Sequence, residues 1–400
     1  MRENFELWGY SEIRTPTFEY FESLATGTGS ELQESMFRFK DKGGRLLALR
    51  AEMTSPIARV VATKLRSHPL PMRMYYLANM FRYEEPQSGR QREFWHAGIE
   101  LVGSSLPDAD AEVIAVFITT LSGIGLRGVS VELGHVGLFK SIVEEAGISL
   151  DEAAAVRRSI DKKDMAGLEA ALKEVDVSSG MKDVFRLLPK LRGDIDVTRK
   201  ILDRVENENV EACIQNLSDI VKILKLYDLD SVIEVDLGIV RGIDYYTGAV
   251  FEGFVPDLGI ALGGGGRYDG LVEQFGGEYF PATGFAIGVD RCHLALEKQG
   301  FKFPMESRPQ ILVQHTDQEL KGEAIKLAMK LRECGMSTET DIMERRLRKA
   351  LEHASKRGIP YVVIVGRKEF EKGEVVVRNM EKEEQETVKI EDLKNYFTHK

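Results

Sequence analysis

MFRYEEPQSGRQREFWHAGIELVG, residues 80–103, is the stretch on which the reading of this chain turns. Aromatic and apolar residues run from Met74 to Tyr83, Pro86 and Gly89 interrupt a charged segment from Glu84 to Arg92, and apolar residues resume from Phe94 to Val102. That pattern is two strands joined by a polar loop. On the second strand His96 and Glu100 are an even number of residues apart, so they share one face. Arg82, Arg90 and Arg92 beside Glu84, Glu85 and Glu93 are compatible with a plain exposed hairpin laced by ion pairs. They are also compatible with a ligand site, because a guanidinium fork matches phosphate oxygens and a strand carboxylate accepts from an ammonium.

Composition narrows the choices. A chain of 400 residues with 43% hydrophobic content is expected to form about two or three globular domains. No run approaches the roughly 18–20 apolar residues of a membrane span. The first residues, MRENFELWGY, lack the apolar core of a secretory signal, so a cytoplasmic protein without membrane association is expected. Cys213, Cys292 and Cys334 are far apart and odd in number, which suggests neither a disulfide framework nor a metal cluster. A net charge of −10 argues against indiscriminate coating of nucleic acid, so any RNA contact should be confined to patches.

Upstream of the hairpin, Phe5 to Tyr10 reads as a helix tail closing at Gly9, and Ser11 to Tyr20 as a strand interrupted at Pro16. Residues 35–51, SMFRFKDKGGRLLALRA, read as a hairpin turning at DKGG. Glu52 and Thr54 follow, at the junction with an apolar helical run from Ile57 to Leu65, where a carboxylate and a hydroxyl can serve simply as a helix cap. Downstream, Asp108–Leu121 reads as a helix, Val129–Leu133 as a strand and His135–Ala146 as a helix. Residues 149–228 carry mixed charges with Leu, Val and Ile at helical spacing, the pattern of a helical insertion with a solvated face.

Residues 237–254, LGIVRGIDYYTGAVFEGF, gather Arg241, Asp244, Tyr245 and Tyr246 between glycines that permit close backbone approach. Residues 263–271, GGGGRYDGL, read as a Gly-rich turn, although they lack the Lys-Ser/Thr ending of a P-loop and the placement of a dinucleotide fingerprint. TGFAIGVDRCHLAL, residues 283–296, is a strand entering a helix and carries Arg291. After a polar linker at residues 300–308, the chain alternates helix and strand: ILVQH, a helix over Gln318–Cys334, a basic helix over Glu344–Arg357, YVVIVG, VVVRNM and a last helix from Ile390.

FRYEEPQSGRQREF followed by GIE resembles motif 2 of the class II aminoacyl-tRNA synthetases in its histidyl form. The opening helix, strand and Pro16 resemble motif 1, which implies a homodimer interface, and TGFAIGVDR resembles motif 3, with Asp290 where Glu is commoner. RGIDYYT and GGRYDG resemble the histidine-specific stretches. Family members carry a further short segment before the first helix. The fold implied is a class II catalytic domain (residues 1–148 and 229–300), an α+β unit built on an antiparallel sheet, with a helical insertion (149–228) and a C-terminal α/β anticodon-binding domain (309–400).

The resemblance also implies roles. Arg241 and Arg82 would be catalytic, and Arg82, Glu84, Arg241 and Arg291 would hold ATP, with Mg²⁺ as a cofactor and no residue assigned as a metal ligand. Glu52, Thr54, His96, Glu100, Tyr245, Tyr246 and Tyr268 would hold histidine, with Glu52, Thr54 and Glu100 on its ammonium. Ala51 stands where the family has proline, and His96 where it usually has glutamine. Gln87 and Arg90 would meet the tRNA acceptor end, and Arg345, Arg346, Arg348 and Lys349, with Lys356 and Arg357, the anticodon arm. The activity implied is formation of histidyl-adenylate and its transfer to tRNA(His). The alternative is the histidine-binding regulatory subunit of ATP phosphoribosyltransferase, a paralogue that generally lacks an anticodon domain. A non-catalytic RNA-binding scaffold would leave the arginine and carboxylate pocket unexplained.

Overall fold

The computed structural model describes residues 1–84, 91–240, 245–303 and 309–398. The chain divides into two compact units, Met1–Phe301 and Lys302–Lys400. In the first, the strands in chain order are β1 (Ser11–Glu12), β2 (Phe18–Tyr20), β3 (Arg38–Lys40), β4 (Leu46–Leu49), β5 (Met72–Phe81), β6 (Glu93–Val102), β7 (Ser130–His135), β8 (Arg192–Gly193), β9 (Ile233–Asp236), β10 (Ala249–Val255), β11 (Ile260–Arg267) and β12 (Ala282–Gly288). Nine of them form one sheet in the order β1-β5-β6-β12-β11-β10-β7-β9-β8. All neighbours are antiparallel except β1 with β5 and β7 with β9, so the expected antiparallel sheet with flanking helices is present.

The β5–β6 hairpin divides its side chains by the period of two. Tyr75, Ala97, Ile99 and Leu101 join a core with the helix Pro107–Gly123. Met74, Tyr76, Ala78, Met80 and Val102 face the other way, into a core with Ile57, Ala58 and Val61. A one-residue slip would exchange the two sets, so burial on both faces fixes the register that sets Met72 opposite Val102 and Phe81 opposite Glu93.

Two expectations change. Ser11–Tyr20 is not one strand: β1 runs parallel to β5 in the large sheet, while β2 pairs with β4 in a separate three-stranded sheet, and Pro16 lies between them. The glycine run is not a turn but the middle of β11, hydrogen-bonded on both sides. A Cβ at Gly263 or Gly265 would come within 2.2 or 2.0 Å of carbonyl oxygens on β12, and one at Gly264 or Gly266 within 2.5 or 2.6 Å of those on β10. The glycines let neighbouring backbones approach more closely than any side chain permits.

Helices Ala154–Asp161, Met165–Glu174 and Ser179–Leu187, in the chain between β7 and β9, place Val156, Ile160, Leu168, Leu172 and Phe185 in the same core as the sheet. Ion pairs of Lys163 with Asp236 (2.9 Å) and of Arg192 with Glu132 and Glu234 (2.6 Å each) bind this segment to the strands.

The second unit has β13 (Ile311–His315), β14 (Thr338–Thr340), β15 (Tyr361–Val365), β16 (Glu374–Asn379) and β17 (Gln385–Lys389) in the order β14-β13-β15-β16-β17, the first three parallel and the rest antiparallel. The basic helix begins at Leu347 rather than Glu344, because Glu344 has a positive φ of 52° and Arg346 is the extended residue before the first turn.

Candidate functional site

Glu100 is the centre of a buried polar cluster on one face of the large sheet, and only 1% of it is exposed. Thr54 Oγ1 donates to one of its oxygens at 2.8 Å, and the Tyr268 hydroxyl donates to the other. Gly284 on the adjacent strand leaves it room, since a Cβ there would lie 2.0 Å from Glu100 Oε2. Glu52, also buried, accepts from the backbone N–H groups of Thr54 (2.5 Å) and Ser55 (3.0 Å). Glu52 therefore both takes the first two N–H groups of the helix Thr54–Val60, whose N-cap position is Met53, and is a second carboxylate of the same cluster.

Burial pushes the Glu100 carboxyl up to about 8, against the two donated hydrogen bonds and with the charge of Glu52 adding to it. Burial also raises Glu52, opposed by its backbone donors and by the Arg82 guanidinium. Two carboxyl groups taken out of water in one place favour a ligand that brings positive N–H donors.

Arg82 leaves the end of β5 with Nε donating to the Ala51 carbonyl at 2.9 Å and its guanidinium carbon 5.4 Å from the centre of the Phe94 ring. Arg291, in the first turn of the helix Val289–Lys298, donates from Nη1 to the Ala261 carbonyl at 3.1 Å. His96 feels both: burial first, then Arg82 and Arg291, hold its imidazole down to about 3, so the ring is neutral at pH 7. Its Nδ1 is buried and has no partner among the described residues, and its ring meets Phe94 edge-on at 5.0 Å. Asp290 accepts from the Trp95 N–H at 2.8 Å, which links the Arg291 helix to β6 one residue before His96. The shorter acid in place of Glu thus still spans to the hairpin.

Three tyrosines wall the carboxylate end. Tyr245 lies edge-on to Tyr246 at 5.1 Å and to Tyr268 at 5.7 Å, with Thr54 in hydrogen-bonding reach of Tyr245. Burial, followed by the charges of Glu100 and Glu52, raises Tyr246. The structure therefore brings Glu52, Thr54, Arg82, His96, Glu100, Tyr245, Tyr246, Tyr268 and Arg291 to one region. Glu84 acts on Arg82 through its charge, and its carbonyl accepts from Arg92 Nε at 3.2 Å. Arg241, Asp244, Gln87 and Arg90 lie outside the described residues.

Tyr76 belongs to this pocket and was not legible as a site residue. It is 1% exposed, and its ionisation is opposed by burial and then by Glu100 and Glu52. It pairs directly across the hairpin with Gly98, where a Cβ would lie 2.4 Å from the Tyr76 hydroxyl. A glycine opposite a tyrosine in an otherwise apolar strand was the available signal.

In the second unit the basic residues divide. Arg345 is held by the buried Asp341 through both its backbone N–H (2.6 Å) and Nη1 (2.5 Å), and its carbonyl accepts from Gln314 Nε2 at 3.0 Å. Arg346, Arg348 and Lys349 are exposed; the side chain of Arg348 is 93% exposed, with Glu352 3.4 Å away. Ile342 and Met343, on the loop before them, are 84% and 67% exposed. Among the described residues no helix is long and apolar enough to cross a membrane, and no group of three potential metal ligands occurs.

Comparison with known proteins gives a consistent result. A family model described as histidyl-tRNA synthetase matches residues 1–292, and one described as an anticodon-binding domain matches residues 310–400. The histidine–tRNA ligase of Pyrococcus furiosus is 42% identical over 404 aligned residues, covering 99% of this chain and 93% of that protein. Among solved structures, a Bacillus halodurans protein described as an ATP phosphoribosyltransferase regulatory subunit/histidyl-tRNA synthetase is 30% identical with a TM-score of 0.78, covering 91% of each chain. The histidyl-tRNA synthetase of Nostoc sp. shares the fold at a TM-score of 0.83 and 23% identity, covering 100% of this chain and 93% of that one.

Proposed function

This chain belongs to the histidyl-tRNA synthetase family, and from that membership we propose that it activates L-histidine with ATP and transfers it to tRNA(His). The observation that carries the reading is a buried carboxylate cluster, Glu52 and Glu100, together with two guanidinium groups, Arg82 and Arg291, whose charges both act on His96. The acids suit the N–H groups of histidine, and the cations suit a triphosphate.

In the first step the histidine carboxylate oxygen attacks the α-phosphorus of ATP, forming the carboxyl–phosphoryl bond as pyrophosphate leaves. Negative charge collects on the phosphoryl oxygens, where Arg82 stabilises it and Arg241, matched to the family arginine at that position, would act beside it. Arg291 would hold the adenine end and the γ-phosphate. In the second step the terminal ribose hydroxyl of tRNA attacks the activated carbonyl and AMP leaves. Mg²⁺ would arrive on the phosphates of ATP, which need only one or two protein carboxylates, and Glu84 beside Arg82 is suited to that. Glu52 with Thr54 and Glu100 would take the substrate's nitrogens, while Tyr245, Tyr246 and Tyr268 would wall its ring. A neutral His96 can offer one donor or one acceptor, as an amide would, without adding charge between two cations.

Gln87 and Arg90 would meet the acceptor end, and Arg346, Arg348 and Lys349 the anticodon arm. Arg345, tied to Asp341, would brace the loop rather than bind phosphate. The protein would work as a homodimer in the cytoplasm. The anticodon-binding match at residues 310–400 favours the ligase over the regulatory-subunit reading. Pyrophosphate exchange into ATP, and charging of total tRNA with labelled histidine, test this. Both should require histidine. Binding of histidine without either activity would establish the regulatory reading instead.

A further inference from the structure

Arg267 ends β11 with its side chain only 7% exposed, and it uses every edge of its guanidinium. Nε donates to Asp110 at 2.9 Å, Nη1 to the Ser104 carbonyl at 2.9 Å and to Asp269 at 3.0 Å, and Nη2 to the Leu106 carbonyl at 3.3 Å. Ser104 and Leu106 lead into the helix Pro107–Gly123, and Asp110 stands in its first turn, itself 2% exposed. The backbone of the same residue is tied as firmly, since its carbonyl accepts from the Thr247 N–H at 2.8 Å. Asp269 completes the knot by accepting from the Ala282 N–H (3.0 Å) and donating its own N–H to Thr247 Oγ1 (3.1 Å). The arginine stem packs against the same segment: a Cβ at Gly248 would lie 2.9 Å from Arg267 Cδ.

Two of the segments fastened here carry tyrosines of the site. Tyr268 lies between Arg267 and Asp269, and Thr247 follows Tyr245 and Tyr246. We propose that Arg267 is a positioning residue for amino-acid recognition, holding Tyr268 and the Tyr245–Tyr246 pair in register against Glu100. The inference rests on the histidine-binding role given above. A buried ion pair needed for stability alone can be replaced by apolar residues of similar volume. The fork here instead fixes direction, with five contacts to four residues drawn from two distant parts of the chain, a geometry that an ammonium cannot reproduce. Tyr268 directly follows Arg267, so a rotation of the β11 end is carried to the hydroxyl that donates to Glu100.

The test uses the full chain and two readouts, calorimetric histidine binding and histidine-dependent pyrophosphate exchange. Arg267→Lys is expected to raise the histidine Kd and KM by about tenfold with the ATP KM changed by less than about twofold. In a Tyr268→Phe background the same change should raise them by less than about threefold, because the hydroxyl link to Glu100, on which the Tyr245 ring also packs through Tyr268, is already cut. Equal factors in both backgrounds, or a lower Tm with histidine binding unchanged, would overturn the proposal. Asp269→Asn, which keeps the shape and removes one charge, supplies the same comparison if the lysine variant does not fold. Wild-type protein that binds histidine without exchange removes the ligase reading alone; wild type that binds none removes both.

Discussion

The pocket of the first unit and the basic loop of the second hold their arginines in opposite ways. Arg82 and Arg291 are anchored to the backbone carbonyls of Ala51 and Ala261. Arg345 is anchored to the carboxylate of Asp341. A carbonyl fixes the direction of a guanidinium and leaves its charge in place, whereas a buried carboxylate cancels it. Groups meant to stabilise charge on a ligand should therefore be tethered in the first way, and groups that shape a loop in the second.

The comparison breaks most readily at Arg82. Arg82→Ala should lower the rate of histidine-dependent exchange by roughly 10²–10³-fold, the scale for removing one preorganised charge from a water-excluded site, while the tRNA KM stays put. An exchange rate within a few-fold of wild type would show that the carbonyl tether marks nothing. Next in size, replacing Arg346, Arg348 and Lys349 with alanine should raise the tRNA KM by about tenfold or more and flatten its salt dependence by about one unit of slope per lost phosphate contact. Exchange should not move. If both activities fell together, the second unit would be structural rather than a docking surface.

Glu100 sharpens the contrast through pH. Its folded value of about 8 against an ordinary 4.5 means that the empty protein keeps a proton the unfolded chain has released. That contribution to stability is complete below pH 4.5 and is lost as pH rises through about 8. Glu100→Gln should flatten the alkaline side of the stability curve, and should abolish the rise of kcat/KM for histidine towards pH 8 that this carboxyl is expected to give the wild type. A pH profile unchanged by the substitution would move the titrating group elsewhere.

Arg345→Gln should cost about 1–3 kcal/mol of stability by leaving the buried Asp341 with only the backbone N–H of residue 345, with tRNA charging intact at a temperature where the variant is folded. The smallest effect is expected at His96. Its folded value of about 3 lies below the ordinary 6.5, so its contribution is full above pH 6.5 and is lost as pH falls towards 3. His96→Gln should reduce acid sensitivity in thermal melts at pH 4–6 while leaving exchange at pH 7.5 within a few-fold of wild type.

The sheet was legible where side chains alternate. The β5–β6 hairpin shows its two cores in the order of its residues, and His96 and Glu100 could be assigned to one face by counting. The glycine run gave no such pattern. With no side chains there is no alternation, and glycine is depleted in strands, so its only local reading was a turn; the close carbonyls of β10 and β12 that require it are contributed from elsewhere in the chain. Ser11–Tyr20 looked continuous because pairing partners are not written in a strand, and only the fold shows that its two halves enter different sheets. Arg345 was indistinguishable from Arg346 in a basic run, since what separates them is Asp341 four residues earlier and Gln314 on another strand. Arg267 passed unnoticed for the same reason: its partners at 104, 106 and 110 lie more than 150 residues away.

Gly98 and Gly284 carry hydrogen where any other residue has carbon, and a Cβ at either would stand 2.3 or 2.5 Å from a carbonyl oxygen of the neighbouring strand, that of Phe285 or of Ile99. A glycine codon becomes an alanine codon by a single base change, so one mutational step at either position would force β6 and β12 apart beside Glu100. The seam between these two strands therefore has no near mutational neighbour that keeps it closed.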